Sequence, residues 1–409
     1  MINQSSNEFN FEMMLYIILS LVVVFSVILF VVLFGDLPSY DDTIIFKARN
    51  FLVNECYYHV IVAGLTKLDD KIFGGWIFKT FCEISWVGYW VVPCFYTFVM
   101  GECVRQFFKH TFNQLIRMDQ TYSVSLYLII IPSLMINFFS FTCCIFMDPG
   151  VVPSTYEIDM NKVKVTFPYD NIIYPTAKIC RTCRQIKPAR SKHCSICNRC
   201  VLLFDHHCIW LNNDIGYYNY IYFFIFLLST CWIMIYGGYT CIQELKAFVR
   251  TNEIPRLYLE NSFIPRYWFI ITKTTLDNKV SGTLLLLCIF LLPVVSAFFL
   301  EHLWLNYLGE TTNETMKWDY VKTLIEDGLL YRIDTRHNNS VYAVPTIFDE
   351  MNTPIQFVKL NDGSNVVKVG SDKLKKINGW KDLTNIYDKG LLSNMKLRLM
   401  PKNMRKDHI

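Results

Sequence analysis

The chain has 409 residues, of which 53% are hydrophobic, 16% aromatic and only 18% charged, whereas a soluble chain carries nearer a quarter charged residues. That balance excludes an ordinary soluble enzyme and points to a protein that crosses a bilayer several times. A net charge of +4 is too small to argue for a nucleic-acid partner.

Five segments lack any charge and reach spanning length: Met13–Phe34, Ile84–Gly101, Gln120–Met147, Ile215–Gln243 and Val280–Leu300. A hydrocarbon core of about 30 Å takes roughly 20 apolar residues as helix, so all five qualify. The residues before the first segment hold Glu8 and Glu12 but no Lys or Arg, and its apolar run exceeds a signal-peptide core. It is therefore expected to stay as a membrane helix. Lys47, Arg49, Lys67, Lys71 and Lys79 follow it, which turns its N-terminus away from the cytosol. The loops 102–119 and 244–279 also contain basic residues, so the positive-inside rule does not account for every loop.

The expected organisation is an N-terminal transmembrane helix at 1–35, a cytosolic connector at 36–83 and helices two and three at 84–150. A cysteine-rich domain follows at 171–219, then helices four and five at 215–306 and a cytosolic tail at 307–409. Gly74-Gly75 marks a turn before helix two, and Asp148-Pro149-Gly150 ends helix three. Residues 151–179 read as an extended linker. In the tail, Ile355–Leu360 and Asn365–Val369 alternate around Asn-Asp-Gly-Ser, which predicts a hairpin.

Nine of the cysteines (Cys56, Cys82, Cys94, Cys103, Cys143, Cys144, Cys231, Cys241 and Cys288) are scattered in or near apolar segments and read as small buried hydrophobes. The other six are spaced. Cys180-x2-Cys183 is followed after nine residues by His193-Cys194-x2-Cys197-x2-Cys200, and after four more by Asp205-His206-His207-Cys208. Repeated C-x2-C pairs with nearby histidine fit tetrahedral zinc. Free thiols at metal spacing belong in a reducing compartment, which places this module and the tail in the cytosol and disfavours disulfides. Two tetrahedral ions need eight ligands. The first five cysteines with His193 and His207 supply seven, so one more must come from elsewhere. Lys178, Arg181, Arg184, Lys187, Arg190, Lys192 and Arg199 accompany the ladder without one acid. They suit anionic headgroups or the phosphates of a soluble acyl carrier, two compatible readings.

The segment Cys180–Phe223, through Asp205-His206-His207-Cys208-Ile209-Trp210-Leu211-Asn212-Asn213 to Asn219, resembles the cysteine-rich domain of the DHHC protein S-acyltransferases, or palmitoyltransferases. Asp148-Pro149-Gly150 is similar to that family's DPG motif and Thr311-Thr312-Asn313-Glu314 to its TTxE motif. Asn385-Ile386-Tyr387-Asp388-Lys389-Gly390, with Asn394, resembles its C-terminal motif. The likeness extends over most of the chain from residue 84 onward. The run Lys187–Cys200, the extra first helix and the tail motif resemble the fungal branch associated with transmembrane SNAREs at the endoplasmic reticulum.

The resemblance implies an all-α polytopic membrane protein of about five transmembrane helices, with a small zinc-bound cytosolic domain and a mixed cytosolic tail. It implies two interleaved metal sites, one of Cys180, Cys183, His193 and Cys200, the other of Cys194, Cys197, His207 and a cysteine. In this chain the last position is Asp214, a legitimate but harder zinc ligand. Asp205, His206 and Cys208 are then left as carboxylate, base and nucleophile. Cys208 is expected to accept palmitate from palmitoyl-CoA and pass it to juxtamembrane cysteines of membrane proteins, SNAREs included. Trp210 is expected at the mouth of the acyl slot, Arg181 and Arg184 against the acyl-CoA, and Thr312 near Asp205. Glu314 and Asp148 are implied structural anchors. His59, His110 and His302 are isolated in the sequence and read as satisfied polar residues rather than bases, and Lys396, Arg398, Lys402, Arg405 and Lys406 as contacts to anionic lipid. A non-catalytic zinc adaptor is the alternative, opposed by the intact Asp205, His206 and Cys208. A channel is opposed by spans nearly free of ionisable residues.

Overall fold

The computed structural model describes residues 44–51, 71, 85–118, 121–152, 159–176, 178–251, 274–334, 340–348, 354–360, 366–368 and 374–404. The expected first span, Met13–Phe34, and the Gly74-Gly75 turn lie outside them. In chain order the helices are α1 (Ile44–Asn50), α2 (Ser85–Gln106), α3 (Asn113–Met118), α4 (Thr121–Phe146), α5 (Met160–Thr166), α6 (Tyr220–Thr251), α7 (Leu276–Leu308), α8 (Thr312–Glu326) and α9 (Leu391–Leu399). Among the described residues, three stretches are long and apolar enough to cross a membrane: Tyr127–Phe146, Tyr220–Arg250 and Leu276–Leu308. α2 covers the expected second span with 22 helical residues. Large apolar side chains such as Leu128, Phe138 and Phe139 are exposed on α4, the pattern of a surface bathed in lipid.

The chain divides into two compact units, residues 1–139 with 226–299 and residues 140–225 with 300–409. The first is a helix bundle. Lipid tails are as apolar as leucine, so packing and buried polar contacts must hold such helices together. Asn137 Nδ2 donates to Ser229 Oγ at 2.9 Å and Thr230 Oγ1 at 2.8 Å, and Tyr96 meets Phe226 edge-on. A π-helical turn, Phe107–Phe112, brings His110 to Asp277 at 2.6 Å and Thr111 to Ser281 at 2.8 Å. A cavity of about 190 Å³ lies within this bundle, lined by Val104, Ile130, Leu134, Ile233, Cys241 and Leu287 among others.

The second unit is mixed. Its core gathers Phe167, Tyr174, Leu202, Tyr217, Trp318 and Tyr387 from widely separated parts of the sequence. Residues 151–179 were expected as an extended linker, and the described part of them folds instead. Asp159 caps α5 by accepting from Asn161 N and Lys162 N at 3.0 and 3.2 Å, and Val163 and Phe167, one helical turn apart, are buried. In the tail, β5 (Tyr331–Asp334), β6 (Ser340–Phe348), β7 (Pro354–Lys359), β8 (Val366–Lys368) and β9 (Leu374–Lys376) form one antiparallel sheet of order β8-β7-β6-β5-β9. The expected hairpin is the β7–β8 pair, with Phe357 opposite Val367.

One buried ion pair ties this unit together. Arg190 Nε donates to Glu314 Oε1 at 2.7 Å and its Nη2 to Glu314 Oε2, while Nη2 also reaches Gly309 O at 2.8 Å. Glu314 further accepts from Tyr174 Oη at 3.0 Å and, closing the capping box of α8, from Thr311 N at 2.9 Å. Arg190, read from sequence as part of the headgroup- or phosphate-binding cluster, is thus corrected to an internal residue, 2% exposed. The anchoring role expected of Glu314 is visible in these bonds. Gly309 has φ +70° and a Cβ there would lie 2.8 Å from Asp388 Cα, so the close approach of α7 to the tail needs glycine. Removing one partner of a buried pair strands the other charge. Glu314→Ala is expected to cost about 3–5 kcal/mol, read as lost monodisperse protein on heating in detergent. The Arg190→Met/Glu314→Leu double variant should recover most of that loss.

Candidate active site and metal centres

The cysteine-rich segment builds two short ladders. β1 (Lys192–Cys194) pairs with β2 (Arg199–Val201), placing His193 opposite Cys200. β3 (His206–Cys208) pairs with β4 (Asn213–Ile215), placing His207 opposite Asp214. Each ladder therefore presents two ligand-type residues side by side. Of the remaining four, Cys194 ends β1 and the others lie in or beside two turns, where Cys183 N donates to Cys180 Sγ and Cys197 N to Cys194 Sγ, both at 3.4 Å. Asn198 and Asn212 adopt φ of 52° and 47° in the tight turns, a left-handed conformation that asparagine tolerates. Gly216 is required just after β4, because a Cβ would lie 2.5 Å from both Pro149 O and Val201 Cγ1.

These ladders and turns bring together both groups of residues that the resemblance implies. The donor atoms of Cys180, Cys183, His193 and Cys200 lie within 4.8 Å of one another, as do those of Cys194, Cys197, His207 and Asp214. In the first group Cys183 and Cys200 Sγ are 3.7 Å apart, and His193 Nδ1 is 3.2 and 3.8 Å from them. Bonds of about 2.3 Å to one tetrahedral ion give an S···S edge of about 3.8 Å, so the donor set fits zinc. In the second, His207 Nδ1 is 2.9 Å from Asp214 Oδ1, 3.4 Å from Cys197 Sγ and 3.8 Å from Cys194 Sγ. A single ring nitrogen cannot serve three such partners with one proton, whereas a shared cation can. Asp214 is fully buried, and its Oδ2 has no hydrogen-bond partner among the described residues, only an ion-pair contact of 3.6 Å to Arg199 Nε. Asp214 stands where the resemblance calls for a cysteine, and the register of β3 with β4 brings it opposite His207.

Successive side chains of a strand point to opposite faces. On β3, His207 turns to the metal-type cluster while His206 and Cys208 turn the other way. His206 Nδ1 lies 2.9 Å from Asp205 Oδ2, and its ring shares one face of β3 with the Cys208 thiol. Asp205, 2% exposed, accepts from Thr312 Oγ1 at 2.8 Å, as expected for Thr312, and from Thr312 N at 3.3 Å. Cys208 is 8% exposed, and Trp210 sits half-buried in the following turn. Arg181 and Arg184 are exposed beside the first cysteine pair. Asp148 Oδ1 accepts from Gly150 N and Val151 N at 2.9 and 2.8 Å, and Asn213 Nδ2 reaches the last carbonyls of α4.

Two neighbours were not legible in the sequence. Arg398 of α9 donates from Nη2 to Asp205 Oδ1 at 2.5 Å, corrected from lipid contact to a residue 1% exposed. His302 of α7 is 1% exposed, with its ring 5.9 Å from that of His206 and 5.0 Å from that of Phe223. Tyr220 Oη accepts from Asn306 Nδ2 at 2.8 Å and faces His302 Nδ1 at 3.4 Å. A single basic residue in a polar tail and a single histidine in an apolar run carry no spacing that betrays a partner.

Residues 173–319 match the model of the DHHC palmitoyltransferase family. Palmitoyltransferase SWF1 of Debaryomyces hansenii is 34% identical over 398 residues, covering 94% of this chain and 97% of that protein. Palmitoyltransferase SWF1 of Candida albicans is 33% identical over 396 residues, covering 95% and 99%. Palmitoyltransferase SWF1 of Yarrowia lipolytica is 29% identical over 396 residues, covering 96% and 100%. The chain belongs to the DHHC palmitoyltransferase family. It is a multi-pass membrane acyltransferase that moves acyl groups from acyl-CoA to protein cysteines.

Electrostatics at Asp205 and His206 follow from their contacts. Burial works against charge on the His206 ring, but the hydrogen bonds to Asp205 and Cys208 outweigh it and push its pKa up to about 10. Burial also opposes charge on Asp205, and the Arg398 guanidinium, with the His206 bond, holds its carboxyl well below the usual carboxylate range. A raised histidine contributes stability that is complete below its unfolded value of about 6.5 and is lost as pH rises through about 10. A depressed aspartate contributes above about 3.9 and loses that contribution as pH falls through its folded value. The thermal-stability advantage of wild type over His206→Ala is therefore expected to be largest near pH 5–6 and to shrink steadily toward alkaline pH.

Proposed function

We propose that Cys208 is the acyl-accepting nucleophile, His206 its proton acceptor and Asp205 the group that orients His206. The observation that carries this reading is the face shared by His206 and Cys208 on β3, with Asp205 bonded to the far nitrogen of the ring. The Cys208 proton passes first to His206, where the bond to Asp205 holds it, and Sγ then attacks the thioester carbonyl of palmitoyl-CoA. The new S–C bond forms, the bond to the CoA sulfur breaks, and the CoA thiolate leaves with the proton from His206. In the second half a substrate cysteine attacks the Cys208 thioester, gives its proton to His206, and Cys208 regains a proton as its thioester bond breaks. A ring held basic by Asp205 favours both proton acceptances. Exposed Arg181 and Arg184 offer charge to the acyl-CoA phosphates, and Trp210 an aromatic wall at the start of the acyl chain.

Zinc would be held as two ions, by Cys180, Cys183, His193 and Cys200 and by Cys194, Cys197, His207 and Asp214. Bound there, it supplies folding energy to a segment with little core of its own. Two further features belong to this reading. One is the five-helix architecture with the domain limits stated above and the cysteine module and tail in the cytosol. The other is residence at the endoplasmic reticulum with juxtamembrane SNARE cysteines as substrates, supported by similarity to proteins named palmitoyltransferase SWF1.

Labelling with an alkynyl palmitoyl-CoA, followed by hydroxylamine, tests the nucleophile. Cys208→Ser should lose the hydroxylamine-sensitive label while zinc content and membrane insertion stay unchanged; persistent label would move the chemistry to another cysteine. His206→Ala should slow labelling by roughly 10²–10⁴-fold near neutral pH. For the metal assignment, two zinc ions per chain are expected, one of them stripped earlier by a mild chelator. Thiolate suits this borderline-soft ion better than carboxylate, so Asp214→Cys should make the labile ion harder to remove. Asp214→Ala should lose it; an Asp214→Ala protein that retains both ions as tightly as wild type would make the carboxylate a bystander.

A further inference from the structure

We infer that Arg398 is a positioning residue of the reaction, acting through Asp205, so that the tail helix α9 completes the active site. The inference rests on Asp205 and His206 having the roles proposed above. Each Asp205 oxygen is engaged twice: Oδ2 by His206 Nδ1 and Thr312 Oγ1, Oδ1 by Thr312 N and Arg398 Nη2. The plane of the carboxylate is thereby set, and with it the direction of the lone pair that meets His206. Both charges are almost wholly removed from water, at 2% and 1% exposure. Without the guanidinium, Asp205 would be a buried anion facing one ring, one hydroxyl and one long backbone N–H bond, and it would either take up a proton or turn. Either outcome releases the His206 ring from the orientation that aims its other nitrogen at Cys208.

Arg398 is itself pinned. Its Nη1 donates to Glu310 O at 3.1 Å, and its Cζ lies 3.6 Å from the centroid of the Tyr220 ring. The helix that carries it is anchored one turn earlier. Asn394 Oδ1 accepts from Lys389 N at 2.9 Å, while its Nδ2 donates to Asp388 Oδ1 at 2.9 Å and Tyr307 O at 3.3 Å. Residues four apart share one face of a helix. The asparagine that docks α9 against the end of α7 therefore aims Arg398 at Asp205. The Asn394 of the tail motif thus has a mechanical purpose here, the delivery of a charge four residues further on.

The test uses the full-length enzyme in detergent and single-turnover acylation of Cys208 by alkynyl palmitoyl-CoA. Arg398→Ala and Asp205→Asn should each lower the maximal acylation rate by roughly 10–100-fold, with the half-saturating palmitoyl-CoA concentration within about twofold of wild type. The Arg398→Ala/Asp205→Asn double variant should be no slower than the slower single one, because the two act as a unit. Methylguanidinium, which fits the vacated volume, should raise the Arg398→Ala rate at least about fivefold and leave Asp205→Asn unchanged; Arg398→Lys should be faster than Arg398→Ala. A merely structural role would show additive losses and no rescue, and would overturn the inference. An Arg398→Ala enzyme at wild-type rate beside an impaired Asp205→Asn enzyme would overturn it while leaving the Asp205 assignment standing. An unimpaired Asp205→Asn enzyme would overturn both. Should Arg398→Ala not yield folded protein, Arg398→Met, which fills the space without the charge, decides: an unchanged acylation rate there would sink the idea.

Discussion

A strand shows alternate side chains to opposite faces, and the three residues of β3 depend on that geometry. His206, His207 and Cys208 carry similar chemistry at consecutive positions, yet they serve two separate clusters because the backbone sends the middle one the other way. A helix at the same place would fan the three side chains over about 200° without a clean division. Pairing with β4 then fixes what each side meets: Asp214 stands across from His207, and Asn213, across from Cys208, reaches the last carbonyls of α4. A one-residue slip in this register would exchange the two clusters, and Gly216, pressed against Pro149 O, helps to forbid it.

The second unit relies on buried charge to an unusual degree. Arg190 with Glu314 and Arg398 with Asp205 are both almost wholly inside, and each arginine bridges parts of the chain more than a hundred residues apart. Such pairs contribute little net stability compared with an apolar replacement, but they tolerate no substitute partner. That suits a domain whose apolar core is spread thinly among short strands and turns. Glu314 shows the economy of the arrangement, since one carboxylate caps α8, receives Tyr174 and neutralises Arg190.

Much of this was legible in the sequence, and the reasons for success and failure are physical. The spans announce themselves because bilayer thickness demands an uninterrupted apolar run, and α4, α6 and α7 supply one. The ligand-type residues were legible because tetrahedral coordination imposes short, repeated spacing; their division into two groups, and the place of Asp214 in the second, came from the resemblance. The described part of residues 151–179 was misjudged because prolines and polar residues break its apolar positions into runs too short to show a period, although Val163 and Phe167 find a core contributed by other segments. Arg190 and Arg398 were misassigned for a related reason. A charged or polar residue in a local window looks solvated, and only the tertiary fold reveals a carboxylate or a ring waiting for it.

The distance between Asp205 and Arg398 along the chain, 193 residues, has a bearing on how the molecule is made. At about 5–20 residues per second, the ribosome needs roughly 10–40 s to proceed from one to the other. During that interval α6 and α7 must enter the bilayer, while the segment bearing Cys208 is already in place. The nascent chain therefore passes through a stage with its thiols and histidines present and its buried aspartate still without its arginine. Synthesis order thus makes that carboxylate one of the last groups in the chain to find its partner.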